Sequence, residues 1–283
     1  MNRLERGAAR LKYAVGLRDD SKIVAAVRPV YNLFLNSVYG RRGVRRTFGD
    51  EEPIRLHPAH RYFRNDYETS LCRYLRSIVG PGDVIFEVGA NVGVFTVLLA
   101  RWVGPAGRVY AFEPSPVARK ALHQHLVWNQ VADRVVVSPL AVSDIPGRGI
   151  LYEDNASGLN TLSTVHGLLP NAKPVEIEMT TIDAFCLENR VVPRLIKIDI
   201  EGYEFHALRS ASGVLVAHKP TVVMELHPML WPEIGISGLE AKRSLEVSQY
   251  SIHPLSGQVS PVTDYGHVAL VPGLPVTAVG AAD

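Results

Sequence analysis

The sequence predicts an α/β fold: a mostly parallel sheet with helices on both faces, preceded by a basic, mainly helical extension. Three observations carry this. From residue 66 onward, strand-like runs alternate with helix-periodic segments. The strand interiors are nearly all apolar, as strands buried on both faces must be. With 283 residues, 47% of them hydrophobic and 20% charged, the chain can bury a sizeable core.

In chain order, residues 1–65 form the extension and 66–283 one larger domain. The first fifty residues hold eleven lysines and arginines against Glu5, Asp19, Asp20 and Asp50. This segment reads as a solvated helical arm or as a patch for an anionic partner such as a lipid surface. "MNRLERGAARLKYAVGLRDD" lacks the apolar centre of a signal peptide. In "IVAAVRPVYNLFLNSVYG", Arg28 and Pro29 interrupt the apolar run, and arginine at a bilayer centre costs roughly 2.5–3.5 kcal/mol. A short helix from near Pro29 to near Gly40 is the expectation.

Within the larger domain, "YETSLCRYLRSIV" is a helix that stops at "GPGD". "DVIFEVG" is a strand and "GVFTVLLARWV" its helix; "RVYAFEP" is a strand and "PVARKALHQHLVWN" its helix. "RVVVSPLAV" is a third strand. Residues 144–180 are less regular. Then come the strand in "RLIKIDIEG", the helix "YEFHALRSA", the strand "PTVVMELHP" and two weaker strands, "QYSIHPL" and "GHVALVPG". A sheet of this kind binds ligands at the carboxyl ends of its strands, so the residues just after each strand are the ones to weigh.

After the first strand come Glu87, Gly89, Ala90, Asn91 and Gly93. Glycine permits a sharp turn and close approach of a ligand, and the next helix offers free N–H groups. A dinucleotide fingerprint fails because Asn91 and Val94 stand where glycines are needed, and no phosphate-loop lysine follows. The second strand ends in Glu113, followed by Pro114 and Ser115. A carboxylate there can accept both hydroxyls of a ribose. Together the two turns suggest a nucleoside ligand with a cationic group, and S-adenosylmethionine fits. Ala141, Ser143 and Asp144, after the third strand, are placed to border an adenine, although an Asp-Ile-Pro-Gly turn also explains Asp144.

The series "FEVGANVGVFT", "VYAFEPSP", "LAVSD", "LIKIDIEGYEFHALRSA" and "VVMELHP" resembles the FkbM-type S-adenosylmethionine-dependent methyltransferases over roughly residues 66–272. "KIDIEGYE" is the most specific part. The resemblance implies a Rossmann-like class I methyltransferase fold: seven strands in the order 3-2-1-4-5-7-6, with strand 7 antiparallel. It also implies O-methylation of a hydroxyl on a sugar, glycan or macrolide-like natural product. Glu87, Gly89, Asn91 and Gly93 would surround the methionine part of the cofactor, and Glu113 its ribose. Glu87 stands where aspartate is more usual, and Tyr203 where a small residue is common.

Methyl transfer to a hydroxyl needs alignment and a group to take the proton. Alternation places Lys197, Asp199 and Glu201 on one side of their strand, and Glu225 and His227 on one side of the next. If the strands are neighbours, Lys197, Asp199, Glu225 and His227 converge. His227, neutral at pH 7, is the expected base, with Asp199 holding it. Asp199 and Glu225 are also expected ligands for Mg²⁺ or another divalent cation. The plainer roles are a Lys197–Glu225 ion pair, and Glu201 and Glu204 serving the first turn of a helix. His123 and His125 are expected in solvent. The polar segment 152–175 reads as a long connection that covers the acceptor, with Ser157, Asn160, Thr161 and Glu201 as its contacts.

A net charge of +2 gives no case for nucleic acid, and two distant cysteines, Cys72 and Cys186, fit a reducing compartment. The resulting expectation is a cytoplasmic O-methyltransferase with a small-molecule, sugar or carrier-bound acceptor, with a homo-oligomer among the assemblies open to it. The alternatives are methylation of a phenol, or a catalytically silent nucleoside-binding module.

Overall fold

The computed structural model describes residues 22–49, 53–63, 65–154, 159–162, 172–247, 249–255, 260 and 264–273. Helix α1 spans Lys22–Tyr39 and is followed by a two-stranded antiparallel hairpin, β1 (Val44–Arg46) and β2 (Ile54–Leu56). The helix thus begins well before Pro29, which it contains. Val44–Arg46 and Ile54–Leu56 are strands rather than helix because alternate side chains have a core to enter: Val44, Arg46, Ile54 and Leu56 point inward. Val44, Phe48, Ile54 and Leu56 belong to the same apolar cluster as Leu98, Leu99 and Leu122. The composition boundary at residue 65 is therefore not a packing boundary.

Helix α2 (Thr69–Ile78) leads into the main sheet. Its strands are β3 (Val84–Val88), β4 (Arg108–Phe112), β5 (Val135–Ser138), β10 (Leu195–Ile198), β11 (Thr221–Leu226), β12 (Tyr250–Pro254) and β13 (Gly266–Pro272). They lie in the order β5-β4-β3-β10-β11-β13-β12. The first five run parallel, and β13 is antiparallel to both neighbours. This is the class I methyltransferase topology, strand for strand. Helices α3 (Val94–Val103) and α4 (Pro116–Trp128) follow β3 and β4. Ser115 caps α4, its hydroxyl accepting the Ala118 N–H at 3.1 Å with Pro116 behind it. Helices α5 (Ile182–Asn189), α6 (Glu204–Arg209), α7 (Ser212–His218) and α8 (Gly238–Leu245) supply the rest of the cover. One apolar cluster lies under α2–α4; a second, around Phe86, Ile198, Phe205 and Met224, lies under α5–α8. None of the described helices is long and apolar enough to cross a membrane.

The described residues between 141 and 180 are mostly strands, where a structureless connection was expected. β6 (Ala141–Val142), β7 (Gly147–Asp154), β8 (Leu159–Thr161) and β9 (Lys173–Thr180) form a second sheet in the order β6-β9-β7-β8. Its main ladder pairs β7 with β9 from Gly147–Met179 to Glu153–Lys173. Leu151 and Ile177 seal a small apolar cluster beneath it.

Candidate active site

A cleft enclosing about 680 Å³, open solvent at its mouth included, lies at the carboxyl ends of β3, β4 and β10. Its floor is the turn after β3. Gly89 has φ +85°, and a Cβ there would stand 1.9 Å from the Asp199 carbonyl oxygen, so the close approach of two chain segments admits only glycine. Gly93 has φ +87°, and a Cβ there would meet Leu122 at 2.2 Å. Asn91 also lies in the left-handed region. The Gly89 and Ala90 N–H groups both donate to the Phe112 carbonyl at 3.0 Å, which ties the turn to β4.

Glu113 stands at the end of β4, and its oxygens orient both turns. One accepts the Asn91 N–H at 2.7 Å, the other the Ser115 N–H at 2.9 Å. Burial raises its carboxyl to about 7, against the lowering effect of those two bonds. Arg119 braces the same corner through the carbonyls of Glu113 and Pro114, at 2.8 and 2.6 Å.

The turn is also held from the far side. His125, with no exposed surface, places Nδ1 2.6 Å from the Val92 carbonyl, and its Nε2 accepts the His57 N–H at 2.7 Å. Those partners require a neutral ring with the proton on Nδ1. Burial lowers its pKa to about 4. The expectation of a solvated His125 is corrected: this helical face is covered by β2 and the residues that follow it.

At the end of β10 the strand alternation stops. Asp199 points into the cleft, Glu201 follows at φ +36°, and Gly202 turns the chain at φ +97°. Lys197, buried, reaches the Asp199 carboxylate at 3.0 Å and lies 5.1 Å over the Phe95 ring. Its ion partner is thus Asp199 rather than Glu225, with buried Glu87 opposite it on β3. Burial raises the Glu87 carboxyl to about 7 while Lys197 opposes the rise. For Asp199, burial works upward, but Lys197, a hydrogen bond from Glu225 and the His227 charge hold it far below the usual carboxylate range. Glu225 is raised, by burial and then by Asp199, so the pair shares a proton that Glu225 carries. Tyr265 donates its hydroxyl to Glu225.

His227 lies between two carboxylates. Its Nδ1 is 2.5 Å from Glu204 and its Nε2 is 3.3 Å from Glu201. Glu204, with no exposed surface, also accepts the Gly202 N–H at 2.9 Å and the Trp231 indole N–H at 3.2 Å. Burial alone would lower the imidazole, but the Glu204 bond and the surrounding charges raise it to about 9. His227 is then an imidazolium at neutral pH, and the expectation of a neutral base there does not hold. Glu201 faces the cleft as well: burial raises it to about 7, with His227 opposing and Asp199 and Glu204 assisting.

Of the expected cofactor residues, Gly89, Asn91, Glu113, Pro114 and Ala141 line the cleft. Glu87, Ala90, Gly93 and Ser115 shape it from behind. Ser143 and Asp144 are not on its wall: Ser143 gives its N–H to Thr180, and Asp144 takes the Arg209 guanidinium at 3.1 and 3.2 Å. The wall there is apolar, made by Leu140, Val142, Leu151 and Leu162. Val142 and Leu151 come from the second sheet and Leu162 directly follows its strand β8; sequence reading did not foresee that sheet. Asn160 and Thr161 lie on β8 beside Leu162, while Ser157 is outside the described residues. Asp199, Glu225 and His227 do converge, with ligand atoms within 4.8 Å of one another. This donor set does not suit the expected divalent cation, because an Asp199 oxygen is already bound by the Lys197 ammonium at 3.0 Å and both ring nitrogens of His227 face other carboxylates, Glu204 and Glu201.

The fold and the cleft define a class I methyltransferase. The chain belongs to the FkbM methyltransferase family, whose domain model matches residues 87–252, more than half of the chain. It is 49% identical over 76 residues to the 31-O-demethyl-FK506 methyltransferase FkbM of Streptomyces tacrolimicus, a match covering 26% of this chain and 28% of that relative. It is 26% identical over 190 residues to the hexuronic acid methyltransferase AglP of Haloferax volcanii, covering 64% of this chain and 72% of that protein. Among solved structures, the methyltransferase FkbM of Methylobacillus flagellatus KT covers 71% of this chain and 51% of its own, at 16% identity and a TM-score of 0.45.

Proposed function

We propose that this protein transfers a methyl group from S-adenosylmethionine to a hydroxyl of a sugar, glycan or macrolide-like acceptor. The observation that carries this reading is the charge of the cleft. Among the described residues lining it are three carboxylates, Glu113, Asp199 and Glu201, and no cationic side chain. Such a site attracts a ligand carrying a sulfonium and an ammonium, and it repels the phosphates of a dinucleotide. Glu113 would accept the ribose hydroxyls. Gly89 and Asn91 would lie against the amino-acid part, and Leu140, Ala141 and Val142 against the adenine.

The cofactor supplies a methyl group on a positively charged sulfur; the protein supplies position and proton transfer. Glu201 takes the hydroxyl proton as the acceptor oxygen attacks. Its pKa of about 7 suits a base at neutral pH. The Glu204–His227 pair fixes the orientation of Glu201, and Asp199, kept ionised by Lys197, holds a second acceptor hydroxyl or favours the cationic methyl donor. The names of the two relatives, one acting on a macrolide and one on a hexuronic acid, support an oxygen-rich acceptor. The test is transfer of radiolabelled methyl from S-adenosylmethionine to uronic acids, glycans and macrolide alcohols. Product with any of them supports the reading. Cofactor binding without transfer to any hydroxyl acceptor, phenols included, leaves the silent-module reading in its place.

A further inference from the structure

We propose that the outward face of α1 docks onto an anionic lipid bilayer. Val27, Val30, Phe34 and Val38 recur at intervals of three and four, and with Leu33 they all stand in solvent, Val30 at 68% and Leu33 at 71% exposure. The adjoining face holds the helix down. Leu35 is fully buried, Tyr31 and Tyr39 are partly covered, and Arg61 lies over the Tyr31 ring at 5.7 Å. One stripe therefore fixes the helix to the domain and the other is left to a partner, as an exposed contiguous apolar patch signals.

Charge selects the partner. Arg41 and Arg42 stand exposed just beyond the end of α1, and Arg45 is exposed on β1. Lys22 opens the helix, and Arg3, Arg6, Arg10, Lys12 and Arg18 precede it in the sequence. Eleven cationic residues stand against four acids in the first fifty positions. The whole chain carries 30 against 28, so the rest is net acidic and the positive charge is concentrated in the first fifty positions of the sequence. A second copy docked face to face would bring like charge against like charge. A nucleic acid would use the cations but gain little from five aliphatic and aromatic side chains. An anionic bilayer uses both, with the apolar side chains in the headgroup–acyl boundary and the cations at the phosphates. The helix is not apolar enough to span, so it would lie in the interface plane.

The inference does not depend on the proposed methyl transfer. Full-length protein is sedimented with phosphatidylcholine vesicles, with and without phosphatidylglycerol. The expected result is roughly tenfold or more tighter binding to the anionic vesicles, lost in high salt. The surface variants Leu33→Glu/Phe34→Glu and Arg41→Glu/Arg42→Glu should each bring binding down to the neutral-vesicle level with unchanged melting temperature. Equal sedimentation with both vesicle types, or either variant binding like the wild type, overturns the proposal. So does a wild-type dimer that the Leu33/Phe34 variant converts to monomer without any vesicle binding, or binding to duplex DNA that exceeds binding to anionic vesicles.

Discussion

Acid should loosen this protein through His125, the residue that pins the cofactor turn from behind. In the fold its ring is neutral, donating to Val92 and accepting from His57, and burial lowers its pKa to about 4 from an ordinary 6.5. Between those two values the unfolded chain binds a proton that the native state does not. Stability from this group is therefore complete above about pH 6.5 and is lost as the pH falls toward 4. At about 1.36 kcal/mol for each pH unit, the loss is about 3 kcal/mol. Because His125 has no exposed surface, solvent screening does little to reduce it. His125→Gln isolates the effect, since a carboxamide offers a donor and an acceptor in similar places and does not titrate. At pH 7.5 the variant should be less stable by roughly 1–2 kcal/mol from imperfect hydrogen bonds. Urea unfolding along a pH series should show that gap closing and reversing by pH 4. Two curves that stay parallel between pH 7.5 and 4 would refute the argument, because they would mean that His125 is already protonated in the fold or is not buried.

Three further outcomes follow from the cleft. Gly89→Ala places a Cβ 1.9 Å from the Asp199 carbonyl at a positive φ, so affinity for S-adenosylhomocysteine should fall at least about tenfold in a protein that remains folded by circular dichroism. Glu201→Gln should lower the single-turnover rate at saturating cofactor by roughly 10²–10⁴-fold; a near-normal rate would remove Glu201 as the base. The wild-type rate should rise with pH through about 7 as Glu201 ionises and fall above about 9 as His227 loses its proton, and in Glu201→Gln the acid limb should vanish.

The parallel strands were legible because each is a short apolar run ending in a polar turn, and their order and the antiparallel β13 match the resemblance. The second sheet was not legible. In "VEIEMT" the alternation is plain, but its partner, β7, lies more than twenty residues upstream, and no local signal fixes such a pairing. Helix α7 was missed because Ser210 and Ala211 interrupt the pattern that it continues. At the site, Gly89, Asn91 and Glu113 were readable from turn chemistry and spacing. The state of His227 was not, since it depends on Glu201 and Glu204 flanking the ring from both sides. The parallel register of β10 and β11 and the left-handed turn at Glu201 and Gly202 bring them there. The first turn of α6, which opens at Glu204, was the one hint: the glutamate that serves it also reaches across to the ring. His125 was misread because helical amphipathicity cannot reveal that a β-hairpin upstream will cover the polar face.

The most direct test of the central claim is a calorimetric titration of S-adenosylhomocysteine and NAD into the wild type and Glu113→Ala. The cleft's three carboxylates and the Glu113 position predict that the homocysteine compound binds and NAD does not, and that Glu113→Ala weakens binding by at least about 1.5 kcal/mol, as for hydrogen bonds to a charged group. Binding of NAD in preference, or equal affinity of wild type and Glu113→Ala for S-adenosylhomocysteine, would contradict the account.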